Sequence, residues 1–215
     1  MYHEPSPKEA IQSKPFLKVW YRGVYVSMAN GLPLLPMVKR ICEVGSGGHD
    51  TIKDVIPCCV TSDIRPGNDM VMSAERIPAG AETLDAILGL NVFHHLEDPA
   101  TFLDEAARTL RHGGRLILVE PSKTWWAKLI YSLHYEQENQ FEAWDWFSDE
   151  ARAIHPCLIG WRRIKIETFC PFSYILSGGV KRRWSAPMWL YRPVRWLDRV
   201  FKSQGIFALY VLERL

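Results

Sequence analysis

A glycine-rich turn has the residue types and spacing in this sequence that best suit ligand binding. An apolar run that contains Glu43 ends at Val44, and Gly45, Gly47 and Gly48 follow it. Glycine lets a strand turn sharply and lets a ligand reach the main chain, because it has no β-carbon. The pattern predicts a ligand site where a first strand ends, and a tight turn without a ligand is the structural alternative.

The segment after this turn is predicted to be a helix that Asp50-Thr51 caps. Its free amide groups and the positive end of its dipole would face an anionic group of the ligand. A dinucleotide site fits poorly, because G-x-G-x-x-G requires glycine where Asp50 stands, and the sequence has no G-x-x-x-x-G-K-S/T phosphate loop. The turn therefore indicates a Rossmann-like sheet that binds another kind of ligand at its carboxyl edge.

An acid and two histidines follow apolar runs farther along the chain. Asp63 lies 20 residues after Glu43, at the predicted end of a second strand, where a carboxylate can accept hydrogen bonds from both ribose hydroxyls of an adenosine. A turn-capping aspartate is the alternative, since Pro66-Gly67 follows. His94 and His95 end another buried run. An imidazole suits a general base near neutral pH, and a structural role at the strand–helix junction is the alternative.

Strands and helices alternate through the central part of the chain, which predicts a parallel sheet. Strands are expected at 40–44, 58–62, 70–72, from Asp85 to the double histidine, at 115–120, at 161–169 and at 205–215. A helix should begin at Glu97-Asp98-Pro99 and end near Arg111, where Gly113-Gly114 stops it.

The amino-terminal part should contribute one helix. Residues 1–13 are polar and are expected to be loose. From Phe16 to Met28 the apolar positions recur with helical period, and Asn30-Gly31 ends the pattern.

The glycine turn resembles motif I of the class I S-adenosylmethionine (SAM) methyltransferases, D/E-x-G-x-G-x-G. Glu43, Gly45 and Gly47 fit the motif, Gly48 comes one place early, and His49 stands where the last glycine is expected. The double histidine before Glu97-Asp98-Pro99 is similar to the x-x-x-H-H-L/I/V-x-D-P stretch of the type 11 methyltransferase subgroup. The resemblance covers residues 40–121.

The resemblance implies SAM as the cofactor and a Rossmann-like α/β fold. Its seven-stranded, mostly parallel sheet has the order 3-2-1-4-5-7-6, with strand seven antiparallel and helices on both faces. Residues 1–215 would form a single methyltransferase domain. Its parts would be an amino-terminal helical cover (1–39), a SAM-binding core (40–121), acceptor-side insertions with strand six (122–204) and the final strand (205–215).

The cofactor residues that the resemblance implies lie at the ends of the first four strands: Glu43, Gly45, Ser46, Gly47, Asp63, Ile64, Ser73, Ala74, Asn91 and Val92. Ser73 stands where many relatives carry an acid for the adenine amino group. Adenine would then be held by Ser73, by a main-chain group or by apolar contacts. Tyr21 or Tyr25 of the leading helix would line the site.

Methyl transfer from a sulfonium is an in-line displacement, so the protein mainly positions the acceptor and excludes water. A base is required only for a hydroxyl acceptor. His95 is preferred to His94 for this role, because adjacent strand residues point to opposite faces. His134 is a further candidate. His134 and Glu136 could bind a metal ion, but two ligands spaced i, i+2 are poor evidence, and no metal is predicted.

Residues 171–204 combine aromatic and basic side chains. They carry one acid, Asp198, and seven cations: Lys181, Arg182, Arg183, Arg192, Arg195, Arg199 and Lys202. This composition is typical of a helix lying in a membrane surface, and Pro187 and Pro193 leave pieces too short to span. The alternative is a lid with its cations in water. Residues 122–148 are also rich in aromatics, and Glu43, Asp63 and His95 are expected in one cleft beneath them.

The phrase Ser173–Gly179 is similar to bacterial type 11 enzymes of polysaccharide or lipid-linked glycan assembly. It implies a small-molecule or lipid-linked acceptor, methylated on oxygen. Nucleic acid is an unlikely partner, because no separate RNA-binding module is present. The second hypothesis is a methyltransferase-like scaffold without turnover, and a nucleotide-sugar or NAD enzyme ranks third.

The composition fits one core, since the 215 residues are 47% hydrophobic. The five cysteines form no C-x-x-C pair, so neither a zinc site nor a disulfide framework is indicated. The sequence shows neither a secretion-signal pattern nor an apolar run long enough to span a membrane. These features predict a cytoplasmic protein, with peripheral contact at the inner membrane face through residues 171–204.

Overall fold

The computed structural model describes residues 6–33, 38–134 and 141–215. Their seven strands form one sheet with the order β3-β2-β1-β4-β5-β7-β6, which confirms the predicted topology. The strands are β1 Ile41–Val44, β2 Cys59–Asp63, β3 Met70–Val71, β4 Leu84–Leu90, β5 Leu110–Pro121, β6 Trp161–Phe169 and β7 Phe207–Arg214. Strands β1 to β5 pair in parallel, and β7 runs antiparallel between β5 and β6.

Helices lie on both faces of the sheet, as predicted. They are α1 Pro7–Ser13, α2 Pro15–Ala29, α3 Pro99–Thr109, α4 Trp125–His134, α5 Glu142–Trp146, α6 Asp149–Ile154, α7 Ser173–Leu176 and α8 Tyr191–Val200. The two faces of the sheet can be recognised from the alternating side chains of β5. Ile117 and Val119 join the apolar cluster of α2, whereas Leu116 and Leu118 join the cluster of α3. Successive strand residues point to opposite faces, so a strand covered on both sides is apolar throughout.

The expectation that residues 1–13 are loose is wrong for the described residues from Ser6 onward. Helix α1 begins after Ser6, whose side chain accepts a hydrogen bond from the amide of Glu9, while the Glu9 side chain accepts one from the amide of Ser6. This reciprocal capping box satisfies two amides that a helix start would otherwise leave unpaired. Ala10 and Ile11 are buried, so packing also holds the helix.

The helix predicted after the glycine turn is not formed. The structure has only a 3-10 turn, Thr51–Asp54, and the Asp50 side chain caps nothing. Pro57 follows six residues after Thr51, and the residue before a proline disfavours the helical conformation. The expected helix dipole toward an anionic group is therefore absent at this turn.

The helix after β4 ends at Thr109, and Gly113-Gly114 does not stop it. Both glycines lie within β5, which begins at Leu110. Pairing with β4 passes from Leu110 directly to Arg115, so extra residues bulge out of the strand between them. Gly113 permits this bulge with a φ of 74°.

Candidate cofactor and catalytic site

A cavity of about 890 Å³ lies at the carboxyl ends of β1, β2 and β4. Its volume is in the range of pockets that hold a cofactor and a substrate. Glu43, Asp63 and His95 all line it. These three groups were expected in one cleft, and they line one cavity because the carboxyl ends of parallel strands meet at the same edge of a sheet.

The glycine turn forms one wall of this cavity. Gly45 has a φ of 68°, and a β-carbon there would lie 2.4 Å from Cγ2 of Val92, so the turn and the end of β4 can touch only through glycine. The amide of Gly47 donates to Oδ2 of Asp63 at 2.8 Å, and the amide of Gly48 donates to Asn68 at 3.0 Å. The ends of β1 and β2 are thus linked through the turn.

Glu43 lies at the base of the turn with only 1% of its surface exposed. The hydroxyl of Tyr25 donates to Oε1 at 2.7 Å, and the hydroxyl of Ser46 donates to Oε2 at 2.8 Å. Burial raises the pKa of Glu43 to about 7, although both hydrogen bonds act to lower it. Helix α2 therefore contacts the motif acid directly.

His49, at the place of the motif's last glycine, is buried beneath α2. Its ring packs edge-on against Tyr21, with ring centroids 5.3 Å apart. Burial lowers the pKa of His49 to about 4, so the imidazole is neutral near pH 7. Nδ1 of His49 has no hydrogen-bond partner among the described residues.

The remaining predicted cofactor residues also line the cavity. They are Ser46, Ile64, Ser73, Ala74, Asn91 and Val92. Ser73 accepts a hydrogen bond from the amide of Glu75 at 3.1 Å, and its hydroxyl donates to Oε2 of Glu75 at 3.5 Å. Asn91 has a φ of 54°, an unusual conformation that ends β4 abruptly at the cavity wall.

His95 lines the cavity, whereas His94 lies behind it. The two residues belong to a short 3-10 helix, Phe93–His95, so the argument from alternating strand faces does not apply. Nδ1 of His94 lies 2.6 Å from Oε2 of Glu120, a residue for which the sequence pattern predicts no role. Burial, and next the neighbouring His94, lower the pKa of His95. His95 therefore presents a neutral imidazole to the cavity near pH 7.

The amino-terminal part covers the cavity as expected, and both Tyr21 and Tyr25 of α2 line it. Ser6, Pro7 and Lys8 line it from the amino-terminal side, and Tyr174 and Val180 line it from the segment after β6. In the described part of residues 122–148, no side chain lines the cavity, so for those residues the expectation of a cleft beneath the aromatic insertion is wrong. Its rings pack elsewhere, since Phe147 contacts Phe93 and Tyr210, and Trp126 Nε1 donates to the main chain of Pro171.

The second candidate set falls largely outside the described residues. His134 ends α4, its side chain is not described, and Glu136 lies outside the described ranges. Within those ranges, no group of three or more His, Cys, Asp or Glu side chains is arranged to hold a metal ion. Nor does any helix of the described residues have the length and apolarity to cross a membrane.

The sheet order and a ligand cavity at the glycine turn define the class I methyltransferase fold. Comparisons agree with this class. Residues 48–118 match the type 11 family model, described as a methyltransferase domain. A ubiquinone biosynthesis O-methyltransferase of Parvibaculum lavamentivorans is 38% identical over 52 residues, which are 24% of this chain. The match covers about a fifth (21%) of that relative's length.

Two solved structures show the same fold at low sequence identity. One is a SAM-dependent methyltransferase of Thermotoga maritima, described as a possible histamine N-methyltransferase, with a TM-score of 0.57 and 19% identity over 90% of this chain and 89% of that chain. The other is geranyl diphosphate C-methyltransferase from Streptomyces coelicolor, with a TM-score of 0.56 and 12% identity over 93% and 81%. These likenesses show the class I methyltransferase fold, within which residues 48–118 match the type 11 methyltransferase domain.

Proposed function

We propose that this protein is a SAM-dependent methyltransferase that acts on an oxygen of a small-molecule or lipid-linked acceptor near a membrane surface. The observation that carries the activity is the meeting of Glu43, Asp63 and the glycine turn in one cavity of the class I fold. The relatives named above, which are methyltransferases, support the same activity. SAM, once bound, supplies an activated methyl group on a sulfonium.

Asp63 has the acceptor capacity that a ribose requires. An ionised carboxylate offers about four lone-pair sites. In the structure Oδ2 accepts from the amide of Gly47 at 2.8 Å, and Oδ1 accepts from the amide of Arg65 at 3.0 Å. These two bonds orient the carboxylate and leave one site on each oxygen. Asp63 would use the two remaining sites for the two ribose hydroxyls.

His95 is the group that would handle a proton during transfer to a hydroxyl. Its imidazole faces the cavity, and its lowered pKa favours the neutral form that can accept a proton. Transfer to oxygen is also the reaction in the name of the Parvibaculum relative. Tyr174 and Val180 would help to exclude water from this side of the cavity.

The surface of the segment 171–204 supports an acceptor at a membrane. Its one acid, Asp198, is only 3% exposed and accepts hydrogen bonds from the amides of Phe172 and Ser173. No exposed acid of the segment therefore offsets the positive charge of its cations. Trp189 is 74% exposed and Trp196 is 62% exposed. Exposed tryptophan among basic residues suits the interface of an anionic lipid layer.

Binding of SAM to Asp63→Asn tests the proposed activity at its first step. The variant keeps the size of the side chain but loses its negative charge. We expect SAM to bind the wild-type protein and to bind the variant about 10- to 100-fold more weakly, because hydrogen bonds to a charged acceptor are worth about 1.5–3 kcal/mol. Isothermal titration calorimetry with SAM, its demethylated product and NAD measures this.

Asp54→Asn is the matched control, because Asp54 is exposed on the neighbouring 3-10 turn and does not line the cavity. It should bind SAM as the wild type does. Absence of SAM binding in the wild-type protein, or tighter binding of NAD than of SAM, would contradict the proposed function.

A further inference from the structure

A buried carboxyl group lies behind the two histidines. Glu120, near the end of β5, is completely buried. Oε1 accepts hydrogen bonds from the amides of Val92 and Phe93 at 2.7 and 2.8 Å. Oε2 lies 2.6 Å from Nδ1 of His94. A buried carboxylate is costly unless donors satisfy it, and all three donors here come from the turn that follows β4. Glu120 therefore holds this turn in place.

The same contacts continue from His94 to His95. The side chain of His94 is 6% exposed, and its ring centroid lies 4.1 Å from that of His95. His95 in turn lines the cavity. A continuous path of side chains thus runs from a buried acid on β5, through one imidazole, to a second imidazole beside the ligand site.

We propose that Glu120 is a positioning residue that acts through His94 to orient His95, and that His94 keeps the imidazole of His95 neutral. This inference rests on the proposed function, in which His95 takes a proton from the acceptor. A base that must collect a proton at neutral pH has to be unprotonated beforehand and has to face the acceptor. His94 would supply the first condition, and Glu120, acting through His94, would supply the second, without touching the substrate.

Several charged groups face His95, and their effects have different signs. Burial is the largest cause that lowers its pKa, followed by His94; Lys181 also lowers it, whereas Glu120 raises it. Glu75 and Glu97 line the same cavity. Asparagine is smaller than histidine and carries no charge. His94→Asn therefore leaves the ring of His95 less buried and removes the repulsion between the two imidazoles. The pKa of His95 should therefore rise in His94→Asn.

Proton NMR of the protein without an acceptor tests the proposal. The ring proton of His95, assigned with His95→Gln, is titrated in wild type, His94→Asn and Glu120→Gln. We expect an upward shift of the His95 midpoint in His94→Asn. In Glu120→Gln we expect hydrogen exchange at the amides of Val92 and Phe93 to become about tenfold faster, because a neutral acceptor binds these amides less strongly.

Glu213→Gln is the control, because Glu213 is also a poorly exposed carboxylate of the sheet and pairs with Arg115 and Arg162 near the opposite end of β5. It should change neither the His95 midpoint nor the two amides. An unchanged midpoint in His94→Asn, or unchanged exchange in Glu120→Gln, would overturn the proposal. SAM binding is measured on the same samples and does not depend on the titration of His95. A wild-type protein that does not bind SAM would therefore count against the proposed function alone.

Discussion

Glu43 shows how a single buried group can make stability depend on pH. Burial raises its pKa from 4.5 to about 7, so the folded protein binds this proton more tightly than the unfolded chain does. The contribution of Glu43 to the free energy of unfolding is fully present below pH 4.5 and is lost as pH rises to about 7. Above the folded pKa the loss is complete.

Glu43→Gln should remove this dependence while keeping the size of the side chain. Between pH 4.5 and 7, the free energy of unfolding of the wild type should fall by up to about 3 kcal/mol relative to the variant. Urea denaturation at several pH values measures the difference. His49, whose pKa is lowered to about 4, has the opposite effect, but it is present in both proteins and cancels. Parallel stability curves would contradict the assignment.

Single residues were predictable where they belonged to a spaced pattern. Glu43 and Asp63 stand 20 residues apart at the ends of two apolar runs, and both line the cavity. Glu120 and Tyr174 were missed, because an isolated acid or aromatic residue forms no pattern until the fold brings its partners near. The available signal for Glu120 was its position at the end of a buried strand, next to Pro121.

Lys14 joins two elements that cover the cavity. It lies between α1 and α2 and is 6% exposed. Its ammonium group donates to the carbonyl of Arg182 at 2.7 Å and also to the carbonyl of Gly179. The amino-terminal helices and the loop that carries Val180 are thus tied by one buried cation, which satisfies two carbonyl groups.

Lys14→Met should therefore loosen this tie. The variant keeps an unbranched apolar side chain but leaves two carbonyl groups unpaired, and we expect it to cost about 1–3 kcal/mol in the free energy of unfolding. Denaturant unfolding gives this value, and hydrogen exchange should quicken in residues 6–13 and 177–182. Lys18→Met, on the exposed face of α2, is the control. Equal stability of the two variants would refute the role of Lys14.

Elements were predictable where their pattern was long. Helix α2 agrees closely with expectation, since an apolar period from Phe16 to Met28 leaves few alternatives, and the bounds of β6 agree as well. The prediction of a helix after the glycine turn failed, because only five residues separate Thr51 from Pro57. Helix α1 was missed, because its stability comes from a capping box and from packing on α2 rather than from apolar periodicity.

At the scale of the whole molecule, one surface combines charge with apolar side chains. Arg192, Trp196 and Arg199 lie on the exposed side of α8, whereas Val194 and Asp198 are buried. Helix α4 adds an exposed stripe of Trp125, Leu129 and Leu133. Phe172 lies between the two helices, because its ring contacts Trp126 of α4 and Phe201, the residue that follows α8. This is the arrangement that a lipid surface would require.

Flotation with liposomes tests the membrane proposal. We expect the protein to float with vesicles that contain phosphatidylglycerol, less with purely zwitterionic vesicles, and less at high salt. The double variant Arg192→Gln/Arg199→Gln should bind at least tenfold more weakly, since each basic residue near an anionic surface contributes about 1 kcal/mol.

Lys39→Gln/Arg40→Gln is the charge-matched control, because both residues are exposed before β1, at the opposite edge of the sheet from the cavity. It should float as the wild type does. If the wild type stays in the aqueous fraction, or if both double variants behave alike, residues 171–204 are an ordinary lid.

The position of β7 bears on how the chain matures during synthesis. This strand comes last in sequence order, yet it pairs with β5 on one side and with β6 on the other. On a ribosome, β6 would therefore have no hydrogen-bonding neighbour until residues 207–214 had left the exit tunnel. Until then the nascent chain would expose two strand edges, and such edges are sites where unfinished chains associate. Closure of the sheet therefore waits for β7, which follows both of its partner strands in the chain.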